Sequence, residues 1–193
     1  ILLRWLGIML LRAERPEEAL AAFELQEQSL AADPEATDDA YLPVNRAKAL
    51  MALDRDVEAA EQLEQFAASI SKDDPAWVSL LRWRAVLFLR TNGPFYDPER
   101  AEELCVEGLF RTERSSPDMF DGSIEARVAM GDVPGALERT REALAPFPDF
   151  EHYQVAEQAL TAAAAGQTSE AVAMLRENGN PVLARIADKL EAP

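Results

Sequence analysis

The chain has one cysteine, Cys105, and one histidine, His152. A lone thiol excludes an internal disulfide and a thiolate metal cluster, and one imidazole cannot complete a His and Cys metal set. Nor do the two form a catalytic couple. Cys105 falls at a core packing place and His152 on a different, polar-starting helix, so a buried thiol and a surface imidazole are expected. Glycine is scarce: the eight residues are scattered one to a turn with no Lys-Ser or Lys-Thr behind them, which excludes a phosphate-cradling loop. Basic charge is short as well. Nineteen Lys plus Arg face 35 Asp plus Glu, a net charge of -16 that would repel a phosphate backbone, so nucleic acid and anionic membrane are not expected partners. The acidity is read as a solvated outer surface.

Long apolar runs are absent too. The opening stretch from Ile1 to Leu11 is too short to span a bilayer and is interrupted by Arg4, and no small-residue cleavage site follows it. It reads as a packed helix with no membrane insertion in this segment. Because the chain starts without Met, it is expected to be a piece of a longer protein. Compartment stays open, with the cytoplasm marginally favoured, and scarce Lys beside plentiful Arg and Ala points to a GC-rich, bacterial genome. No acid-base or nucleophile constellation emerges, so neither an enzyme nor a cofactor is expected. The acidic pairs Asp38-Asp39 and Asp73-Asp74 precede helices, where carboxylates suit the positive end of the helix dipole. Asp118 to Gly122 lacks the alternating ligands and closing Glu of a calcium loop.

What is plentiful is helix former. Hydrophobic residues make up 48% of the chain, dominated by Ala and Leu with few β-branched residues, which favours helix and predicts no sheet. A repeat organises them. Polar or Gly turns, each followed by an Ala that opens a packed face, place Ala19, Ala59, Ala101, Ala136 and Ala171 at separations of 40, 42, 35 and 35 residues. The longer steps hold loop insertions, one around Pro34 and one at Gly93-Pro94. Twelve residues before the Ala stands a small residue and four after it a large one: Gly7 and Phe23, Ala47 and Leu63, Ala159 and Leu175. Ala85 lies farther upstream of Ala101, with Cys105 at the large place, and Ile124 and Thr140 depart from the pattern.

The run Leu3-x-x-Leu6-Gly7-x-x-Leu10, then Ala19-x-x-x-Phe23 and Pro34, resembles the tetratricopeptide repeat (TPR) signature, with Leu in place of its first and third aromatics. The resemblance covers nearly the whole chain. It implies an all-α fold, a right-handed α-α superhelix (TPR-like solenoid) of about five helical hairpins with a C-terminal capping helix. A single domain over 1-193 is expected, with repeats at 1-37, 38-74, 75-116, 117-149 and 150-180 and the cap at 181-193, covering the exposed end of the last repeat. Helices are predicted over 2-13, 16-31, 39-53, 56-71, 75-90, 98-112, 117-130, 134-145, 150-165, 169-177 and 181-190.

In tetratricopeptide arrays the first helix of each hairpin lines a concave groove. On those helices Arg4, Ile8 and Arg12 share a face, as do Lys48 with Asn45 alongside, and Arg82, Val86 and Arg90. Trp5 and Trp83 adjoin them. The result is a basic stripe in an acidic protein, and these ten residues are the candidate partner-binding set. Arrays that clamp an acidic carboxyl terminus use Lys, Asn and Arg on these faces. Here Ile8 stands where that clamp has Asn and Ser79 where it has Lys, so chaperone-tail binding is not implied. The expected function is a protein-protein interaction scaffold or adaptor that binds a protein or peptide, such as an acidic segment, in the groove. The alternative is a regulatory or oligomerising domain of a larger enzyme or signalling protein, homo-oligomeric through Leu2, Leu3, Leu6 and Leu10 of the first helix.

Overall fold

A computed structural model describes residues 2-32 and 39-191. Pro34 and Asp38, which figure in the signature and in helix capping, lie outside the described residues. Among the described residues there are eleven helices and no strand: α1 (Leu2–Arg12), α2 (Pro16–Ala32), α3 (Leu42–Ala52), α4 (Asp56–Ser69), α5 (Ala76–Phe88), α6 (Pro98–Arg111), α7 (Pro117–Ala129), α8 (Val133–Leu144), α9 (Glu151–Ala164), α10 (Thr168–Glu177) and α11 (Pro181–Glu191). Every predicted helix is present, with small shifts at the ends.

The marker alanines share one structural position. In each case the Ala N–H makes the bond that closes the first turn of a second helix: Ala19 to Arg15, Ala59 to Arg55, Ala101 to Asp97, Ala136 to Asp132 and Ala171 to Gln167, at 2.9 to 3.1 Å. All five side chains are completely buried. The residue five before the Ala has a left-handed backbone in four of the five: Glu14 (φ 56), Asp54 (φ 56), Gly131 (φ 77) and Gly166 (φ 84). At each, the next N–H reaches back to the carbonyl five residues earlier: Arg15 to Leu10, Arg55 to Leu50, Asp132 to Arg127 and Gln167 to Ala162. This satisfies the orphan carbonyls of the preceding helix and turns the chain in three residues.

Segment 89-97 breaks the rule. The sequence predicts that α5 runs to Arg90, but it stops at Phe88, whose carbonyl accepts the Asp97 N–H at 2.9 Å. The neighbouring Leu89 carbonyl takes the Lys189 ammonium at 2.6 Å in place of a helical partner. α3 begins at Leu42, not Asp39, because the Asp39 carboxylate is engaged by the Tyr41 N–H at 3.1 Å and by the Gln26 amide at 2.9 Å. Three other helix starts are capped by a carboxylate, whereas Ser116 before α7 makes no side-chain cap. Asp74 accepts from the Ala76 N–H at 2.7 Å, Asp97 from Arg100 at 2.9 Å and Asp132 from Gly135 at 3.0 Å.

The chain forms two compact units, Ile1–Leu87 with Asn92–Pro94 and Phe88–Thr91 with Phe95–Pro193. In the first, α1 packs on α2 and α3, and α3 on α2 and α4. Gly7 lets α1 approach the fully buried Phe23 ring, and Leu63, Leu80 and Leu81 fill the rest. In the second, α6 to α10 pack each on its neighbour in chain order, and α11 packs on α10, α7 and α9. Met119, Phe120, Ile124, Tyr153, Leu160 and Leu175 form its centre. Thr140, out of pattern in the sequence, is buried there without penalty because its hydroxyl donates to its own helix at the Ala136 carbonyl, 2.9 Å away. Ile124, the other departure, is also fully buried.

Candidate functional site

Five of the ten candidate residues, with three that the sequence did not place at the site, gather into two clusters in the first unit. Arg4 on α1 reaches across to Asp39 at 3.2 Å and lies over the rings of Trp5 (5.7 Å) and Tyr41 (5.8 Å). Asp39 also takes the Gln26 amide, so Asp39, Tyr41 and Gln26 complete the surroundings of Arg4. Only proximity in three dimensions reveals them, since Asp39 is 35 residues from Arg4. In the other cluster the half-buried Trp83 ring has the Lys48 ammonium of α3 at 4.8 Å and the Arg82 guanidinium of α5 at 5.2 Å. Cations at these distances are held by the negative face of an indole.

The remaining candidates divide. Arg12 is exposed and Ile8 and Val86 are half-buried, as a groove wall requires, but Asn45 is buried and does not present its amide to a partner. Arg90 lies beyond the end of α5 and belongs to the second compact unit, so it is not on the α5 face. Trp5 shares its side of α1 with Leu2, Leu6 and Met9. All four are at least half exposed at spacings of three, four and seven, a continuous apolar stripe. Of the four leucines expected at a first-helix interface, Leu2 and Leu6 lie on this stripe, whereas Leu3 and Leu10 are half-buried.

Residues considered for chemistry are absorbed by packing. Cys105 is buried, and burial pushes its thiol well above the usual range, so it stays protonated and inert. His152 departs from expectation. Far from being a surface imidazole, it is largely buried between the rings of Phe150 and Tyr153, with Nε2 3.2 Å from Asp121 of α7. Burial and the Asp121 charge push the neighbouring Tyr153 phenol upward, and it donates to the Pro117 carbonyl at 2.9 Å. Asp118 to Gly122 forms the first turns of α7, not a loop. Among the described residues no group of three or more His, Cys, Asp or Glu could hold a metal ion, and no helix is long and apolar enough to cross a membrane.

The architecture matches a solved one. Across 98% of this chain and 98% of the other, the structure resembles the crystal structure of a thermophilic TPR protein of Thermus thermophilus, with a TM-score of 0.66 at 18% sequence identity. The fold is the tetratricopeptide fold. No protein-family model matches the chain, and no curated protein matches its sequence. In that fold α1, α3 and α5 are the first helices of their hairpins, and they bear the Arg4 and Trp83 clusters.

Proposed function

We propose that the chain is a protein-interaction scaffold whose first unit binds an acidic peptide segment along α1, α3 and α5. The observation that supports it most is the Lys48-Trp83-Arg82 stack, two cations on one half-buried indole from two first helices. An acidic chain would form charge-assisted hydrogen bonds with those cations while laying an apolar side chain on the ring. Arg4 is paired with Asp39, and an incoming carboxylate competes with the contacts these cations already make. Specificity resides in these side chains and not in the fold.

The test is titration of a fluorescein-labelled Glu- and Asp-rich peptide, read by anisotropy. Arg4→Glu plus Arg82→Glu should weaken binding about tenfold or more, and so should a rise in salt. Arg82→Gln alone leaves the Arg4–Asp39 pair intact and guards against a folding defect. Affinity unchanged in both variants would sink the reading.

A second reading, an oligomerising or regulatory segment, is favoured by the apolar stripe of Leu2, Trp5, Leu6 and Met9 on α1. Light scattering separates the two readings. A mass that doubles with concentration and returns to the monomer value in Leu6→Glu plus Met9→Glu supports it.

A further inference from the structure

The C-terminal helix α11 does more than close the end of the last hairpin. Besides α10 it packs on α7 and α9, the first helices of two successive hairpins. Leu183, Ile186 and Ala187 are fully buried and Leu190 is half-buried, a stripe at i, i+3, i+4 and i+7. Its charges are sorted by side. Arg185 Nε donates to Oε2 of Glu125 at 2.8 Å, and that α7 carboxylate is only 5% exposed. Lys189 Nζ donates to the Leu89 carbonyl and the Thr91 hydroxyl and lies 4.8 Å over the Tyr96 ring. The acidic residues Asp188 and Glu191 face outward to the exposed Arg176 of α10.

A carboxylate as buried as Glu125 is costly unless a cation meets it, so this face demands a basic occupant. Two further features bear on how firmly α11 is held. It is joined through Asn178-Gly179-Asn180, where Gly179 is left-handed (φ 75), and its large buried apolar anchors number only two, Leu183 and Ile186. The seat is also larger than its occupant. A cavity of about 460 Å3 opens beside Lys189 and Leu190 between Tyr96, Met130, Val133 and Thr168.

We propose that the face formed by α7 and α9 is a receptor for a basic amphipathic helix of another protein, with α11 as the resident occupant that the partner displaces. The partner carries large apolar residues at the places of Leu183, Ile186 and Leu190, an Arg at the place of Arg185 and a Lys at that of Lys189. A side chain bulkier than Leu at the last apolar place fills the cavity and gives it the advantage over α11. The site is separate from the acidic-peptide site and selects the opposite charge.

The probe is a labelled synthetic peptide with the sequence of residues 178-191, titrated into the full chain. An occupied seat lowers the apparent affinity by the fraction of time it is open. The chain carrying Arg185→Ala and Lys189→Ala should therefore bind the peptide about tenfold more tightly than the unmodified chain. A peptide with Phe at the Leu190 place should bind more tightly still, and one with Glu at both basic places should not bind. Hydrogen exchange on the unmodified chain needs no variant to fold. There, α11 amides should exchange faster than those of α7 and α9, and faster again with excess peptide. Equal peptide affinity for both chains, concentration-dependent dimers of the variant without peptide binding, or α11 exchange as slow as α7 and untouched by peptide would each overturn the proposal.

Discussion

Replacing Gly7 with Ala isolates the closest helix approach in the first unit. A Cβ built there would lie 2.6 Å from Cζ and 2.8 Å from Cδ1 of Phe23, and nearer still to Cε1. Carbon atoms prefer about 3.5 to 4.0 Å, so three ring atoms are overlapped by about 1 Å. The ring is fully buried and has nowhere to turn, hence relief must come from moving α1. Two effects of opposite sign compete. Ala is the better helix former by about 1 kcal/mol, while overpacking a core costs about 1 to 3 kcal/mol. Three simultaneous overlaps on a rigid ring place the clash at the upper end, so a net loss of about 1 to 2 kcal/mol is expected. Urea unfolding followed by circular dichroism measures it, and hydrogen exchange localises it to α1 and α2. Adding Phe23→Leu should cancel part of the loss, with a coupling of about 1 kcal/mol in a double-mutant cycle. Gly108→Ala is the control. The atoms nearest its Cβ would be those of the Met119 side chain, 2.5 Å away at Sδ, and an unbranched thioether yields where a ring does not, so its cost should be smaller. A Gly7→Ala chain as stable as the parent, or more so, would refute the argument.

The turns offer a complementary test, because a Cβ at Gly131 meets nothing within 4 Å and its cost is purely that of the left-handed backbone. Gly131→Ala should destabilise by about 1 kcal/mol and Glu14→Gly should stabilise by about 0.5 to 1 kcal/mol, both read from urea midpoints. Asp97→Ala removes the acceptor of the Arg100 N–H and should cost about 1 kcal/mol, measured in the same way. Lys189 links stability to pH. Burial holds its ammonium below the ordinary value of 10.5, helped by Arg185 and opposed by Glu125 and Asp188. Between that lowered value and 10.5 the unfolded chain binds more protons, so this residue's contribution grows as pH rises. The stability difference between the parent and Lys189→Met, from urea unfolding at successive pH values, should increase toward 10.5. The Tyr96 phenol, raised by burial, acts with the opposite sign but stays in both chains. A flat difference would refute the assignment.

The helices and their pairing order are legible in the sequence because both depend on neighbours along the chain. The Ala register, the Gly7 and Phe23 places and the turn residues lie within one hairpin, and one helical period suffices to read them. What periodicity misses depends on distant residues. Arg4 reads as an open cation, yet Asp39 takes it up. The polar start of its helix puts His152 on the surface, but Asp121, 31 residues away, draws it inward. Arg90 falls in register with a helix face that ends two residues before it, since Leu89 gives its carbonyl to a lysine 100 residues on. The α11 stripe is visible in sequence, but Glu125 as the reason for Arg185 is not. Periodicity reports which side of a helix is buried and says nothing of which charge waits opposite.

The turns at Gly131 and Gly166 share a backbone sign and a hydrogen-bond pattern, and 166 − 131 = 35 residues, one repeat, separate them. Recombination can therefore take place inside a hairpin as well as between hairpins. Excising residues 131-165 would join Met130 to Gly166 and leave the same reversal between α7 and α10, with Ala171 inheriting the place of Ala136. Such a lineage can lose or copy thirty-five residues at a glycine without inventing a new loop.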